Sequence, residues 1–350
     1  MVDPGGAVDC VAAVSLADVR AAAQRISDFL VPTPVLYRPE RRAWLKLENA
    51  QVTGAYKVRG ALNALLAQLE REDRRSIVAA SAGNHGAGVA WAARAVGLDA
   101  LVVVPKGAPR SKIARIHESG GCVLEAGVDF EESLSIARAQ AGVLGRRLLH
   151  AFDDPDIIAG QGTVALELLS LRPDVVLVPI GGGGLAAGVS LVLRAAGVRV
   201  VGVQIVGVDA MASWLRGGPA RITPSSTIAD GLRVHEPGMI TRGLCRQTLE
   251  QIVLIREDEV RRAMRSLWEQ EGLRIEGAGA VAVAGLGYVE GARRVALVTG
   301  GNVADGAHLS FSPVAARSVT VQKDSDVMRQ EPKRATALWR GRALSLARGQ

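Results

Sequence analysis

Aromatic residues make up only 3% of this 350-residue chain, so a core built around stacked rings is excluded and the interior must be filled by aliphatic side chains. Cysteine is scarcer still: Cys10, Cys122 and Cys245 lie far apart and form no C-x-x-C pair. That argues against a disulfide framework or a zinc knuckle and fits a reducing compartment. No apolar run is long enough to span a bilayer, and Met1 to Val14 lacks the basic start of a secretory signal. A cytoplasmic protein with no membrane partner is expected.

An excess of one charge is also missing from most of the chain. The formal net charge is +7, but residues 316–350 hold eight Lys or Arg against three Asp or Glu, which accounts for +5 of it. The rest is nearly balanced and has no basic stripe interleaved with aromatics, so nucleic acid is not an expected partner. The tail reads as a solvated extension, with Ala335, Leu338, Trp339 and Leu346 spaced as a short amphipathic helix that is expected to fray.

Small and aliphatic residues are abundant. With 48% hydrophobic residues, 22% charged residues and 40 glycines, the chain can bury a large core, divide into about two lobes and make many tight turns. Ser15-Leu16-Ala17-Asp18 has the pattern of a capping box, and helical spacing follows it until Pro32 and Pro34. Trp44 to Leu47 is strand-like and leads through a turn at Gln51 to Gly54 into a helix from near Tyr56 to about Gln68. Short apolar runs then alternate with Ala-rich helical stretches. The best strands are Ile77 to Ala80, Ala100 to Val104, Val175 to Ile180, Val198 to Val203 and Val295 to Val298. The helices between them fall at Gly86 to Val96, Ser111 to Ser119, Phe130 to Ala141, Gly160 to Leu171 and Leu185 to Ala196. This alternation is the mark of βα units on parallel sheets.

Three loops carry candidate chemistry. Gly181-Gly182-Gly183-Gly184 lies between a strand and a helix, where backbone N–H groups can converge on a phosphate, although a glycine cluster also serves as a plain tight turn. Gly182, Gly184 and Gly188 give a loose dinucleotide-like spacing. That reading needs an acid after the next strand, and Val203 is followed by Gln204, so a dinucleotide is disfavoured. Ser81-Ala82-Gly83-Asn84-His85-Gly86 offers N–H groups, a hydroxyl and an amide to a carboxylate, or is simply a helix cap beside a satisfied histidine. In Thr53 to Ala61, Lys57 falls near a helix start, where the dipole and burial both disfavour its charged form; it is a candidate amine nucleophile or one more surface lysine.

In combination and in this order, these loops resemble fold-type II enzymes dependent on pyridoxal 5′-phosphate (PLP), most closely the serine/threonine dehydratase group that also contains serine racemases. The resemblance runs from about Val14 to Pro313. It takes in Lys46-Leu47-Glu48-Asn49, Phe152-Asp153-Asp154-Pro155, Gly160-Gln161-Gly162-Thr163, Thr227 to Gly231, Glu276 to Ala280 and Thr299-Gly300-Gly301-Asn302. It implies an α/β fold of the tryptophan synthase β type, with two lobes, each a mostly parallel sheet flanked by helices. Residues 1–65 and 152–315 would form the large cofactor lobe and 66–151 the small one, with 316–350 as the tail. A homodimer or homotetramer is implied, as is a small amino-acid substrate.

By the same resemblance Lys57 carries PLP as a Schiff base, Tyr56 lies against it, Asn84 reaches its ring hydroxyl, and Gly181, Gly182, Gly183 and Gly184 wrap its phosphate. Thr299 faces the pyridine nitrogen, and Ser81, Ala82, Gly83, Asn84 and His85 hold the substrate carboxylate. Removal of water and then ammonia from a β-hydroxy amino acid is the implied reaction; racemisation and β-replacement are the alternatives. Phe152, Leu232, Arg233 and Val234 are candidates for shaping the side-chain pocket.

Two departures from the group bear on that choice. Racemases of the group use a serine opposite the lysine, where this chain has Ala82, and a methyl group cannot return a proton. Some members bind a divalent cation through positions matching Gln204 and Ala210, which are not carboxylates; no metal is expected there, although Asp209 is close by. About 35 residues follow Val314, fewer than the C-terminal regulatory domain of the biosynthetic threonine dehydratases needs. End-product control is therefore not expected.

Overall fold

The computed structural model describes residues 14–303. The basic tail, with its helical spacing at Ala335, Leu338, Trp339 and Leu346, lies outside them, as does Cys10. Ser15 opens α1 (Leu16–Ile26) with the expected capping box: its hydroxyl accepts from Asp18 N at 3.3 Å, and the Asp18 carboxylate accepts from Ser15 N at 2.8 Å. Both bonds satisfy donors that have no partner within the helix.

Strands β1 (Val35–Arg38) and β2 (Ala43–Leu47) form an antiparallel pair before α2 (Lys57–Glu70). The chain then builds β3 (Ile77–Ala80), α3 (Asn84–Val96), β4 (Ala100–Val104), α4 (Arg110–Glu118), β5 (Cys122–Glu125), α5 (Phe130–Val143) and β6 (Arg147–Leu148). These four strands make a parallel sheet in the order β5-β4-β3-β6. Next come α6 (Pro155–Leu166), β7 (Val175–Pro179), α7 (Gly184–Ala195), β8 (Arg199–Ile205) and α8 (Ala210–Leu215). The chain continues through α9 (Met239–Thr248), β9 (Gln251–Ile255), α10 (Glu257–Glu271), α11 (Gly277–Ala284) and β10 (Arg294–Val298). The second sheet runs β1-β2-β10-β7-β8-β9 and is parallel except for β1. Every residue of β3 and β7 is buried, as parallel strands covered on both faces require.

Several elements differ in extent from the sequence expectation. Helix α6 starts at Pro155 and not Gly160, because the Asp154 carboxylate caps it by accepting from Asp156 N and Ile157 N, and Pro155 takes the first helical position. Strand β8 runs on to Ile205, since pairing with β9 places Gln204 opposite Leu254. Gln204 is therefore inside the strand and not after it. Its buried amide donates to Ile180 O at 3.2 Å and Val208 O at 3.4 Å and accepts from Ala212 N at 2.8 Å. Neighbouring Asp209 pairs with Arg216 at 3.3 Å. Among the described residues no group of three or more His, Cys, Asp or Glu side chains is placed to hold a metal, and no helix is long and apolar enough to cross a membrane.

Glycines set the spacing of the helices that carry the candidate loops. Helix α6 packs against both α2 and α7. A methyl group at Gly160 would lie 2.6 Å from Gly60 Cα, and one at Gly188 would run into the Ile158 carbonyl. Gly188, part of the dinucleotide-like spacing, is thus a contact between helices. Backbone touching backbone sets how closely α6 lies against α2 on one side and α7 on the other.

Behind α2 lies a buried ionic group. Arg59 donates through Nε and Nη2 to the Glu48 carboxylate, both at 2.8 Å, and through Nη1 to Glu167 Oε1 at 2.6 Å. Lys46 pairs with the same Glu167 and donates to Thr33 O at 2.7 Å. Burial pushes the Lys46 amine below its usual range, with Glu167 pulling it back. Two cations and two anions balance, and Lys46, Glu48 and Arg59 are all 2% exposed or less. Replacing Arg59 by Met leaves one cation for two carboxylates and is expected to cost roughly 3–5 kcal/mol, the cost of breaking a buried pair. Urea unfolding of the variant against the parent measures it.

Candidate active site

The segment before α2 is stitched to the end of β10. Tyr56 N donates to Thr299 O at 3.1 Å, Gly301 N donates to Gly54 O at 2.9 Å, and Ala55 bridges Gly300. Lys57 is therefore held at the first turn of α2 beside the carboxyl ends of the central strands, where ligands of open α/β sheets bind. Its Nζ donates to Ala151 O at 2.9 Å and lies 5.3 Å from the Tyr56 ring centroid. Burial pushes the Lys57 pKa down to about 8, so an appreciable fraction of the amine is neutral near physiological pH. Tyr56 is shifted the opposite way, above its ordinary value, by burial and by the charge of Glu276. Thr299 is 3% exposed and donates its hydroxyl to Ala278 O at 3.3 Å.

The tetraglycine follows β7 and opens α7, with Gly183 at φ +97° as the helix cap, a left-handed conformation that suits glycine. Phe152 lies against it so closely that a side chain at Gly182 would overlap the aromatic ring, and a methyl group at Gly184 would sit 2.9 Å from Phe152 O. Thr241 donates its hydroxyl to Gly182 O at 2.6 Å. The Asp153 carboxylate caps α9 by accepting from Met239, Ile240 and Thr241 N at 2.9, 3.0 and 3.1 Å. The result is a glycine cradle at a helix N-terminus, where the first N–H groups have no acceptor within the helix.

The third loop joins β3 to α3. Ser81 Oγ accepts from Gly83 N at 3.1 Å, and Ser81, Ala82, Gly83 and Asn84 are half-buried. His85 is 3% exposed and its Nε2 donates to Leu149 O at 3.3 Å. Burial and the charge of Lys57 depress its pKa to about 3, so the ring is neutral and Nδ1, which has no partner, can only accept. The His85 side chain is therefore no donor to a carboxylate; only its main-chain N–H is. That narrows the role expected of this residue. Asn84 Nδ2 donates to Glu276 Oε1 at 2.6 Å.

The structure thus brings Lys57, Tyr56, Thr299 and the Ser81 to His85 loop together and links Lys57 to the tetraglycine through residues 150–153. Asp153, Glu276 and Asn302, which lie within motifs but carry no expected role from the sequence, join these loops to one another. Their only signal in the sequence is the motif itself, since Asp153, Glu276 and Asn302 each touch a partner more than 80 residues away. Phe152 and Leu232, named for the side-chain pocket, both border the tetraglycine, with Leu232 Cα 3.2 Å from where a Gly181 side chain would begin.

The site fits PLP by its own chemistry: a buried amine of depressed pKa, a glycine cradle that any side chain would fill, and a buried hydroxyl at Thr299. The comparisons agree. The chain is 37% identical to the catabolic L-threonine dehydratase of Escherichia coli strain K12 over 307 residues, covering 83% of this chain and 93% of that one. It superposes on the T.th. threonine deaminase with a TM-score of 0.79 at 35% identity, covering 83% and 99% of the two chains. For maize serine racemase the TM-score is 0.81 at 30% identity, with 85% and 96% covered. Residues 26–300 match the family described as pyridoxal-phosphate dependent enzyme, and the chain belongs to that family.

Proposed function

We propose that the protein is a PLP-dependent ammonia-lyase that converts threonine, or a similarly small β-hydroxy amino acid, to a 2-oxo acid and ammonia. The observation that carries this reading is the Lys57 amine, buried to a pKa of about 8 at the mouth of a helix and connected through residues 150–153 to the glycine cradle. Similarity to proteins named threonine dehydratase and threonine deaminase supports the substrate class.

Bound PLP supplies the electron sink that makes the substrate's α-hydrogen acidic. Lys57 would hold the cofactor, Gly181 to Gly184 would bind its phosphate, and Tyr56, Asn84 and Thr299 would line its ring. The Thr299 hydroxyl, turned from Ala278 O, would donate its one hydrogen to an unprotonated ring nitrogen and could not hold that nitrogen protonated as a carboxylate would, which favours elimination over a long-lived carbanion. The Ser81 hydroxyl and the main-chain N–H groups of the Ser81 to His85 loop bind the substrate carboxylate and fix the orientation of the α-hydrogen. Lys57, freed as an amine, removes that hydrogen, and its depressed pKa suits a base working near neutrality. The β-hydroxyl leaves as water with the proton that Lys57 took from the α-carbon, and the released enamine tautomerises and takes up water to give the oxo acid and ammonia. Ala82 offers no proton from the opposite side.

Of the described residues, 14–65 and 152–303 are assigned to the large lobe and 66–151 to the small one, with the boundary inside α2, which packs on both α3 and α6. We infer a cytoplasmic location from the sparse cysteines, and a homodimer or homotetramer from the resemblance to the dehydratase group. A monomer mass for the holoprotein in sedimentation equilibrium would overturn the second inference.

Incubation with a panel of β-hydroxy amino acids is expected to give oxo acid and ammonia, while the remaining substrate keeps its chirality. Inverted substrate without oxo acid would establish the racemase reading instead. Lys57→Ala is expected to lower turnover by about 10³-fold or more and to abolish the yellow colour of the lysine-linked cofactor. Ala82→Ser, which restores a hydroxyl on the side away from Lys57, is expected to raise the ratio of inversion to elimination. An unchanged ratio would remove Ala82 from the explanation.

A further inference from the structure

The Asn84 amide is gripped from both ends. Its Nδ2 donates to Glu276 Oε1 at 2.6 Å, and its Oδ1 accepts from Asn302 Nδ2 at 2.7 Å, which also donates to Thr53 O at 2.9 Å. An ionised carboxylate only accepts, so Glu276 forces the amide nitrogen to face it, and one of the two Nδ2 hydrogens is left over. Two glycines make room for this arrangement. A side chain at Gly300 would overlap Glu276 Oε1 and lie 3.2 Å from Asn84 Nδ2, and one at Gly54 would overlap the Asn302 side chain. Glu276 N donates to Gly300 O at 3.2 Å, which ties the carboxylate's own backbone to the strand end that also holds Tyr56.

We propose that Glu276 is a positioning residue: it orients the Asn84 amide so that the second Nδ2 hydrogen is committed to the ring hydroxyl oxygen of bound PLP, and it places a titratable charge at that edge of the site. This rests on the assignment of Lys57 and Asn84 to the cofactor made above. The groups facing Glu276 are Tyr56 before α2, Asp230 in the segment against α11, and Lys112 and Arg115 on α4. Lys112 and Asp230 pair with each other. Burial raises the Glu276 pKa to about 7; the Asn84 hydrogen bond lowers it, Asp230 raises it, and Lys112 and Arg115 lower it. A raised pKa means that the carboxyl is neutral below about pH 7 and charged above it. Its grip on Asn84 therefore strengthens as the pH rises through neutrality.

The test uses the full-length holoprotein and two variants. Glu276→Gln keeps the shape and one acceptor oxygen while losing the charge, and Glu276→Ala removes the grip. The visible absorption of the Lys57-linked cofactor is followed across neutral pH, and the Kd for PLP is measured by titration of the cofactor-stripped proteins. Wild type is expected to show a spectral transition near neutrality that Glu276→Gln lacks, and Glu276→Ala is expected to bind PLP about tenfold more weakly. A Glu276→Gln spectrum that titrates as wild type, or an unchanged Kd in Glu276→Ala, overturns the proposal. Persistence of the lysine-linked band in Lys57→Ala is a different result: it overturns the Lys57 assignment underneath.

Discussion

Two backbone hydrogen bonds, from Tyr56 N to Thr299 O and from Gly301 N to Gly54 O, join segments more than 240 residues apart in the chain, and the site is arranged around that junction. They set Lys57 beside Thr299 and bring Gly300 against Glu276, and Asn302 reaches back to Thr53 and Asn84. The junction exists because β10, the last of the described strands, pairs in parallel with both β2 and β7. One strand then delivers its carboxyl end between the lysine loop and the loop that follows β7.

Burial is the second organising influence, and it acts on each titratable group of the site in the same sense. It lowers Lys57 and His85 and raises Glu276, so that each moves towards its neutral form. Behind the site the opposite solution is used. Buried Lys46, Glu48 and Arg59 and half-buried Glu167 form a balanced ionic set, which holds α2 against β2 and α6 while the Lys57 amine, two residues before Arg59, remains poised to lose its proton.

The candidate loops were legible because their geometry is local. A strand, four glycines and a helix start specify a tight turn at a helix N-terminus, and Ser15 with Asp18 specifies a helix cap. Less local features were harder to read. The extension of β8 past Val203 depends on pairing with β9, and a strand's length is set by its neighbour as much as by its own side chains. Asp154-Pro155 was a readable helix start that the apolar spacing further along obscured. Gly188 fitted a nucleotide-like spacing, but its hydrogen-only side chain is needed where α7 crosses α6.

The sequence alone determined the α/β class, the three loops and their order, and the lysine among them, because each depends on residue types within one turn or one strand. The tertiary structure decided which atoms those loops present. It turned the His85 ring into an acceptor by bonding it to Leu149 O, closed Phe152 over the tetraglycine, and set Glu276 and Asn302 on either side of Asn84. Those outcomes depend on burial and on distances between segments far apart in the chain, and neither exists until the sheets are assembled.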